Sequence, residues 1–149
     1  MIISHCIGKL NVLKKAKEDV GFMLTNSHGS YCCFFGSPAS RYCGMFYFDA
    51  QNKRMLKSIE SIEIVGKTKV TSVENRLCFA TREKSKVKES FLMPQNRNSL
   101  LYSLSSRAEI DVFFDCKDSY DNRQWGRYYD IFEEGGCIIV KFTKRTDHR

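Results

Sequence analysis

From Val20 onward the chain is divided into short apolar runs, each closed by turn residues, and this spacing leaves little room for anything but strands. The runs 20–25, 31–36 and 42–49 come first, and the polar stretch 49–53 closes the third. Residues 56–65 carry Ile59, Ile62 and Ile64 at spacings that fit either period, but their β-branched content and the following Gly66 select a strand. Residues 68–73, 76–82 and 87–93 continue the series, with Glu74-Asn75 and Lys84-Ser85 as tight turns and Pro94 as the stop. Within 95–106, Leu100, Tyr102 and Leu104 alternate with polar neighbours, and 109–115 alternates acidic and apolar residues. A polar loop over 116–126 leads to a hairpin, 127–133 with 137–143, around Glu134-Gly135-Gly136. Only 9–19 has a helical composition, enough for one or two turns, and 2–7 fits a short edge strand. The pattern predicts an all-β fold: an antiparallel two-sheet sandwich of about ten strands with at most one or two short helices.

Size and charge narrow the class. At 149 residues the chain fits a single domain, 1–149, that needs no staples to hold its core. No apolar run approaches the roughly 20 residues of a membrane span, and the first ten residues are too polar for a signal peptide, so a cytoplasmic protein without membrane contact is expected. Seven cysteines with no CxxC pair argue against a zinc knuckle and a disulfide framework. Cys43 with His5 or His28 lacks any metal-ligand spacing, so no metal and no cofactor is expected. The net charge of +7 is concentrated in residues 53–97, which hold eleven Lys or Arg against five Glu. There the run 82–88 reads as a solvated hairpin tip rather than a phosphate-binding patch.

Recognition chemistry is densest in residues 22–48. Asn26, His28, Tyr31, Arg41 and Tyr42 supply amide, imidazole, guanidinium and aromatic groups of the kind that hold hydroxyl-rich rings. As turn caps and core-edge rings, the same residues would be purely structural. A second cluster lies in 115–129, where Asp118, Tyr120, Trp125 and Arg127 concentrate polar and aromatic groups around the only tryptophan. Trp125 serves there either as a stacking surface or as a plug at one end of the sandwich.

The run GFMLTNSHGSY from Gly21 to Tyr31, followed after a short gap by RYCGMF from Arg41 to Phe46, resembles the N-terminal domain of the archaeal and bacterial type of glycogen debranching enzyme, the amylo-α-1,6-glucosidase group. That pattern reads approximately E-W-L-x-T-N-G-x-G-G-Y, then R-Y-H-G-L-L. Here Gly21-Phe22-Met23-Leu24-Thr25-Asn26-Ser27-His28-Gly29-Ser30-Tyr31 is followed by Arg41-Tyr42-Cys43-Gly44-Met45-Phe46. Gly21, Ser27, Ser30 and Cys43 stand where the pattern has Glu, Gly, Gly and His. A weaker similarity runs from Leu101 to Tyr120.

The resemblance implies a β-sandwich accessory to a helical α/α barrel that carries the hydrolytic carboxylates and is not encoded in these 149 residues. The expectation is a non-catalytic domain or subunit, without catalytic residues of its own, whose partners are α-glucan or a glucosidase barrel; a homo-oligomer is also compatible. No GxSxG, HExxH or phosphate loop supports an independent enzyme. Two other classes compete. A basic, aromatic β domain fits single-stranded nucleic acid, less well because the aromatics lie outside the basic segment; a protein interaction module is the other.

Overall fold

The structure, a computed structural model, describes residues 21–35, 40–66, 69–76 and 79–145. The strand expected at 2–7 and the helix expected at 9–19 lie outside the described residues. In chain order the strands are β1 (Phe22–Thr25), β2 (Tyr31–Phe34), β3 (Gly44–Asp49), β4 (Arg54–Ile64), β5 (Val70–Asn75), β6 (Phe79–Lys84), β7 (Val87–Leu92), β8 (Leu101–Leu104), β9 (Ile110–Asp118), β10 (Arg127–Glu134) and β11 (Cys137–Lys144). All pair antiparallel, and no described residue is helical. No helix among the described residues is long and apolar enough to cross a membrane.

The described residues up to Ser119 form one compact unit and those from Tyr120 another. The first is a sandwich of a five-stranded sheet, β1-β2-β3-β4-β9, and a four-stranded sheet, β5-β6-β7-β8. Alternation selects its inner faces, since Phe22 and Leu24 on β1, and Cys32 and Phe34 on β2, point inward while their neighbours do not. With Met45 and Ile62 they meet Val70, Val73, Ala80 and Phe91 of the second sheet, and Met93 just after β7, in one core. Phe91 is its hub, with ring centroids 4.6 Å from Phe22, 5.7 Å from Phe34 and 5.0 Å from Tyr102. Burial of one such phenyl ring contributes roughly 2 to 3 kcal/mol.

The same interior turns ionic beside these rings. Arg82, on the inner face of β6, donates from Nε and Nη2 to the two carboxylate oxygens of Glu89 at 2.6 and 2.9 Å. Its Nη2 also reaches the Ile62 carbonyl in the facing sheet at 2.9 Å, and Tyr102 donates its hydroxyl to Glu89 at 2.9 Å. Lys84 pairs with Glu63 of β4. The basic run 82–88 is therefore not a purely solvated tip: Arg82, Lys84 and Val87 are buried, and Lys86 and Lys88 are exposed. The turn is Ser85-Lys86, one residue later than expected, with φ of 48° and 74°. Two successive left-handed residues close a hairpin that matches the strand twist.

Three other local differences have simple causes. β5 continues through Glu74 and Asn75, which pair with Thr81 and Ala80 instead of turning. Only Leu101–Leu104 of the 95–106 stretch is a strand. β9 extends through Cys116, Lys117 and Asp118, because Leu56 and Lys57 of the long strand β4 supply ladder partners beyond the alternating run. At Gly44 the chain adopts φ of 114°, and a Cβ there would lie 2.2 Å from the Ile59 carbonyl, so the β3–β4 irregularity at Met45/Phe46 depends on glycine.

Candidate recognition site

Of the first cluster, Tyr31 lies on the outer face of the five-stranded sheet, Asn26 and His28 in the β1–β2 loop, and Arg41 and Tyr42 in the turn before β3. With Phe22, Leu24, Cys32 and Phe34 turned inward, Met23, Thr25, Tyr31 and Cys33 point the other way. Together with Gly29, Ser30, Phe35, Ser40 and Tyr42 they line a cavity of about 390 Å³. Its wall is chiefly carbon, and the polar side-chain groups of these residues are hydroxyls and one thiol.

Two tyrosines shape this cavity, and each is held from behind. The Tyr31 ring stacks on Phe46 at 4.8 Å with planes 9° apart, and its hydroxyl donates to the Tyr42 carbonyl at 3.4 Å. Burial, reinforced by the neighbouring Cys33, Tyr42 and Cys43, pushes the Tyr31 hydroxyl up to about 12, so it stays a donor at neutral pH. Arg41 donates to the Tyr42 hydroxyl at 2.7 Å and lies 4.9 Å above its ring. Ser40 accepts from the Tyr42 amide at 3.1 Å and donates its own amide to the Cys43 sulfur at 3.3 Å. Cys43 thus closes the turn that presents Tyr42. Cys33, pushed up to about 11 by burial and then by Cys43, is a neutral wall group at pH 7.

Asn26 has a different task from the tyrosines. Its Oδ1 accepts from the His28 and Ser30 amides, both at 3.0 Å, and its Nδ2 donates to the Pro94 carbonyl at 3.3 Å and the Arg97 carbonyl at 2.7 Å. Both amide hydrogens are thereby spent on backbone. Ser27 adds contacts to Gln95 and Asn96, and Ser30 donates to Asn98 at 2.5 Å, so the β1–β2 loop is clasped to the segment after β7. Gly29, at φ of 83°, makes the left-handed step, whereas Ser27 and Ser30 need no positive φ. His28 is exposed at the loop and outside the cavity wall.

The second cluster divides at the boundary between the units. Asp118 ends β9, its Cα across from Leu56. Tyr120, Trp125 and Arg127 belong to the second unit, where Tyr120 is highly exposed. Asp121 organises this unit: its Oδ1 accepts from the Arg123 amide and Nε, each at 3.0 Å, and its Oδ2 lies 3.2 Å from Lys144 Nζ. Lys144 also donates to the Arg123 and Trp125 carbonyls at 3.0 Å, and both cations lie over the Trp125 ring. Hydrogen bonds from Arg123, then the contact with Lys144, hold the Asp121 carboxyl well below the usual carboxylate range. Arg127 donates to the Asp121 carbonyl at 3.0 Å.

Sequence reasoning missed Met23, Thr25, Phe35 and Ser40 in the first site and Lys144 in the second. The alternation that turns Tyr31 outward also turns Met23 and Thr25 outward, so that signal was present. Lys144 had no local signal; only the hairpin register, which sets it across from Arg127, brings it to Asp121. Among the described residues, the cavity wall holds no carboxylate or imidazole; these residues offer rings to pack against and hydroxyls to bond, but no group suited to protonate a glycosidic oxygen. No family model, curated protein or solved structure matches this chain.

Proposed function

We propose that this chain is a non-catalytic recognition domain of the glycogen-debranching type. It binds α-glucan on the outer face of the five-stranded sheet and serves a glucosidase whose carboxylates lie on a separate barrel. The observation that carries this reading is the composition of the cavity. Thr25, Gly29, Tyr31 and Tyr42, four residues of the debranching-like pattern, line one space together. Aromatic walls with hydroxyls at the rim match a pyranose, which presents an apolar face and a polar edge. In this reading Asn26 and Arg41 act indirectly, Asn26 by fixing the loop and Arg41 by fixing Tyr42.

The nucleic-acid alternative loses ground because Arg82 and Lys84 are buried and spent on Glu89 and Glu63. The test is native electrophoresis through gels containing glycogen. Retardation of the wild-type chain is expected, with Tyr42→Ala weakening it about tenfold, the scale of one lost ring contact. Wild-type migration unchanged by glycogen would overturn the reading. So would Tyr42→Ala migrating as the wild type does.

A further inference from the structure

The third sheet is a ribbon of two eight-residue strands, β10 and β11. An isolated ribbon of this kind is marginally stable at best in water. Its register sets Tyr129 across from Phe142, Ile131 from Val140 and Glu133 from Ile138, all on one face. Ile131 and Ile138 are 66% and 77% exposed. Beside them Val140 and Phe142 are half-buried, and a contiguous apolar face with this much of its surface open marks a contact surface.

The charges along the ribbon are ordered as well. At its open end Arg123, Arg127, Lys144 and Arg145 outnumber Asp121; at its tip Glu133 and Glu134 flank the glycine turn. Between them Asp130 lies across from Lys141 and the two cancel. The ribbon is therefore basic at one end, apolar in the middle and acidic at the other.

We infer that this face binds a second copy of this chain, with the two ribbons stacked face to face and running in opposite directions about a two-fold axis. An isologous contact needs a patch complementary to itself. Reversal of one ribbon on the other provides that: the basic end of each copy meets the acidic tip of the other, with Arg127 over the second copy's Glu133. The apolar centres then coincide, Tyr129 over Ile131 and Phe142 over Val140. Ribbons stacked in the same direction would set acid on acid and base on base. At about 3.3 Å per residue the ribbon is roughly 26 Å long. Such a face is smaller than the ~800 Å² per partner of a stable complex, so the dimer is weak and concentration-dependent.

Sedimentation equilibrium of the full chain at low salt, from roughly 1 μM to 1 mM, tests this. The apparent mass is expected to rise toward the dimer across that range. Ile131→Asp should weaken association at least tenfold while far-UV circular dichroism is retained, and Glu133→Lys should weaken it less and reduce its salt dependence. A wild-type chain that stays monomeric throughout overturns the proposal without reference to any variant. Association by strand edges or another surface would leave Ile131→Asp dimerising as the wild type does, and that result overturns it too.

Discussion

Two regions of this protein use the same chemistry under opposite conditions. Arg82, Glu89 and Phe91 lie inside the sandwich; Arg123, Asp121 and Trp125 lie in the loop that opens the terminal hairpin. Each set pairs a guanidinium with a carboxylate and rests the cation near an aromatic ring, 5.4 Å from Phe91 and 5.6 Å from Trp125. The first carboxylate has both oxygens on one guanidinium and a third donor in Tyr102. The second shares its oxygens between an exposed Arg123 and Lys144. Desolvation makes the difference. A buried pair is costly to assemble and far costlier to break singly, whereas a rim pair is worth little in global stability and acts by fixing a local shape.

The largest effect should therefore come from removing one half of the buried pair. Glu89→Ala leaves Arg82 charged, enclosed and stripped of its bidentate partner, and deprives Tyr102 of its acceptor. A loss of about 3 to 5 kcal/mol is expected in urea denaturation. The double change Arg82→Met with Glu89→Leu removes both charges and should recover most of that loss. If Glu89→Ala proves as mild as a surface substitution, the contrast between the regions fails.

A smaller effect is expected at Lys144. Lys144→Met breaks its contacts with Asp121 and with the Arg123 and Trp125 carbonyls. Hydrogen exchange over 121–145 should accelerate, while the main unfolding transition moves by less than about 1 kcal/mol. Equal loss of protection in β6 and β7 would show that the hairpin and the sandwich do not respond separately.

Acid gives the smallest and most local effect. The folded-state pKa of Asp121 is depressed, so the clasp contributes fully above the ordinary carboxylate range near pH 4. It is lost as pH falls through the lower folded value. Trp125 fluorescence should therefore hold steady through pH 4 and change only in stronger acid, and Asp121→Asn should remove that step. A step centred at the ordinary carboxylate value would mean that Arg123 and Lys144 do not hold the group.

The same comparison separates what was legible in the chain from what was not. The terminal hairpin was plain, because Gly135-Gly136 fixes the turn and alternation on either side fixes the strands. The outward placement of Tyr31 followed from Phe22, Leu24, Cys32 and Phe34 by period alone, and with it half of the cavity wall. The ionic interior was hidden because a charged residue at an inward position reads as a solvated one. A turn at Lys84-Ser85 would set Arg82 across from Val87; the turn at Ser85-Lys86 sets it across from Glu89. One residue of register separates a solvated tip from a buried pair. Asn26 was misleading for a related reason: an amide offers the same donors to a sugar and to a backbone, and only the approach of the segment after β7 shows which one uses them.

The sequence by itself determined the all-β class, the order of hairpins and the division of each strand into two faces, because turn chemistry and a period of two are local properties. The tertiary structure alone decided which charges are inside, which tyrosines share a cavity and what Asn26 and Lys144 hold. Those contacts join residues tens of positions apart, and their energies depend on exclusion of water, which no single strand specifies.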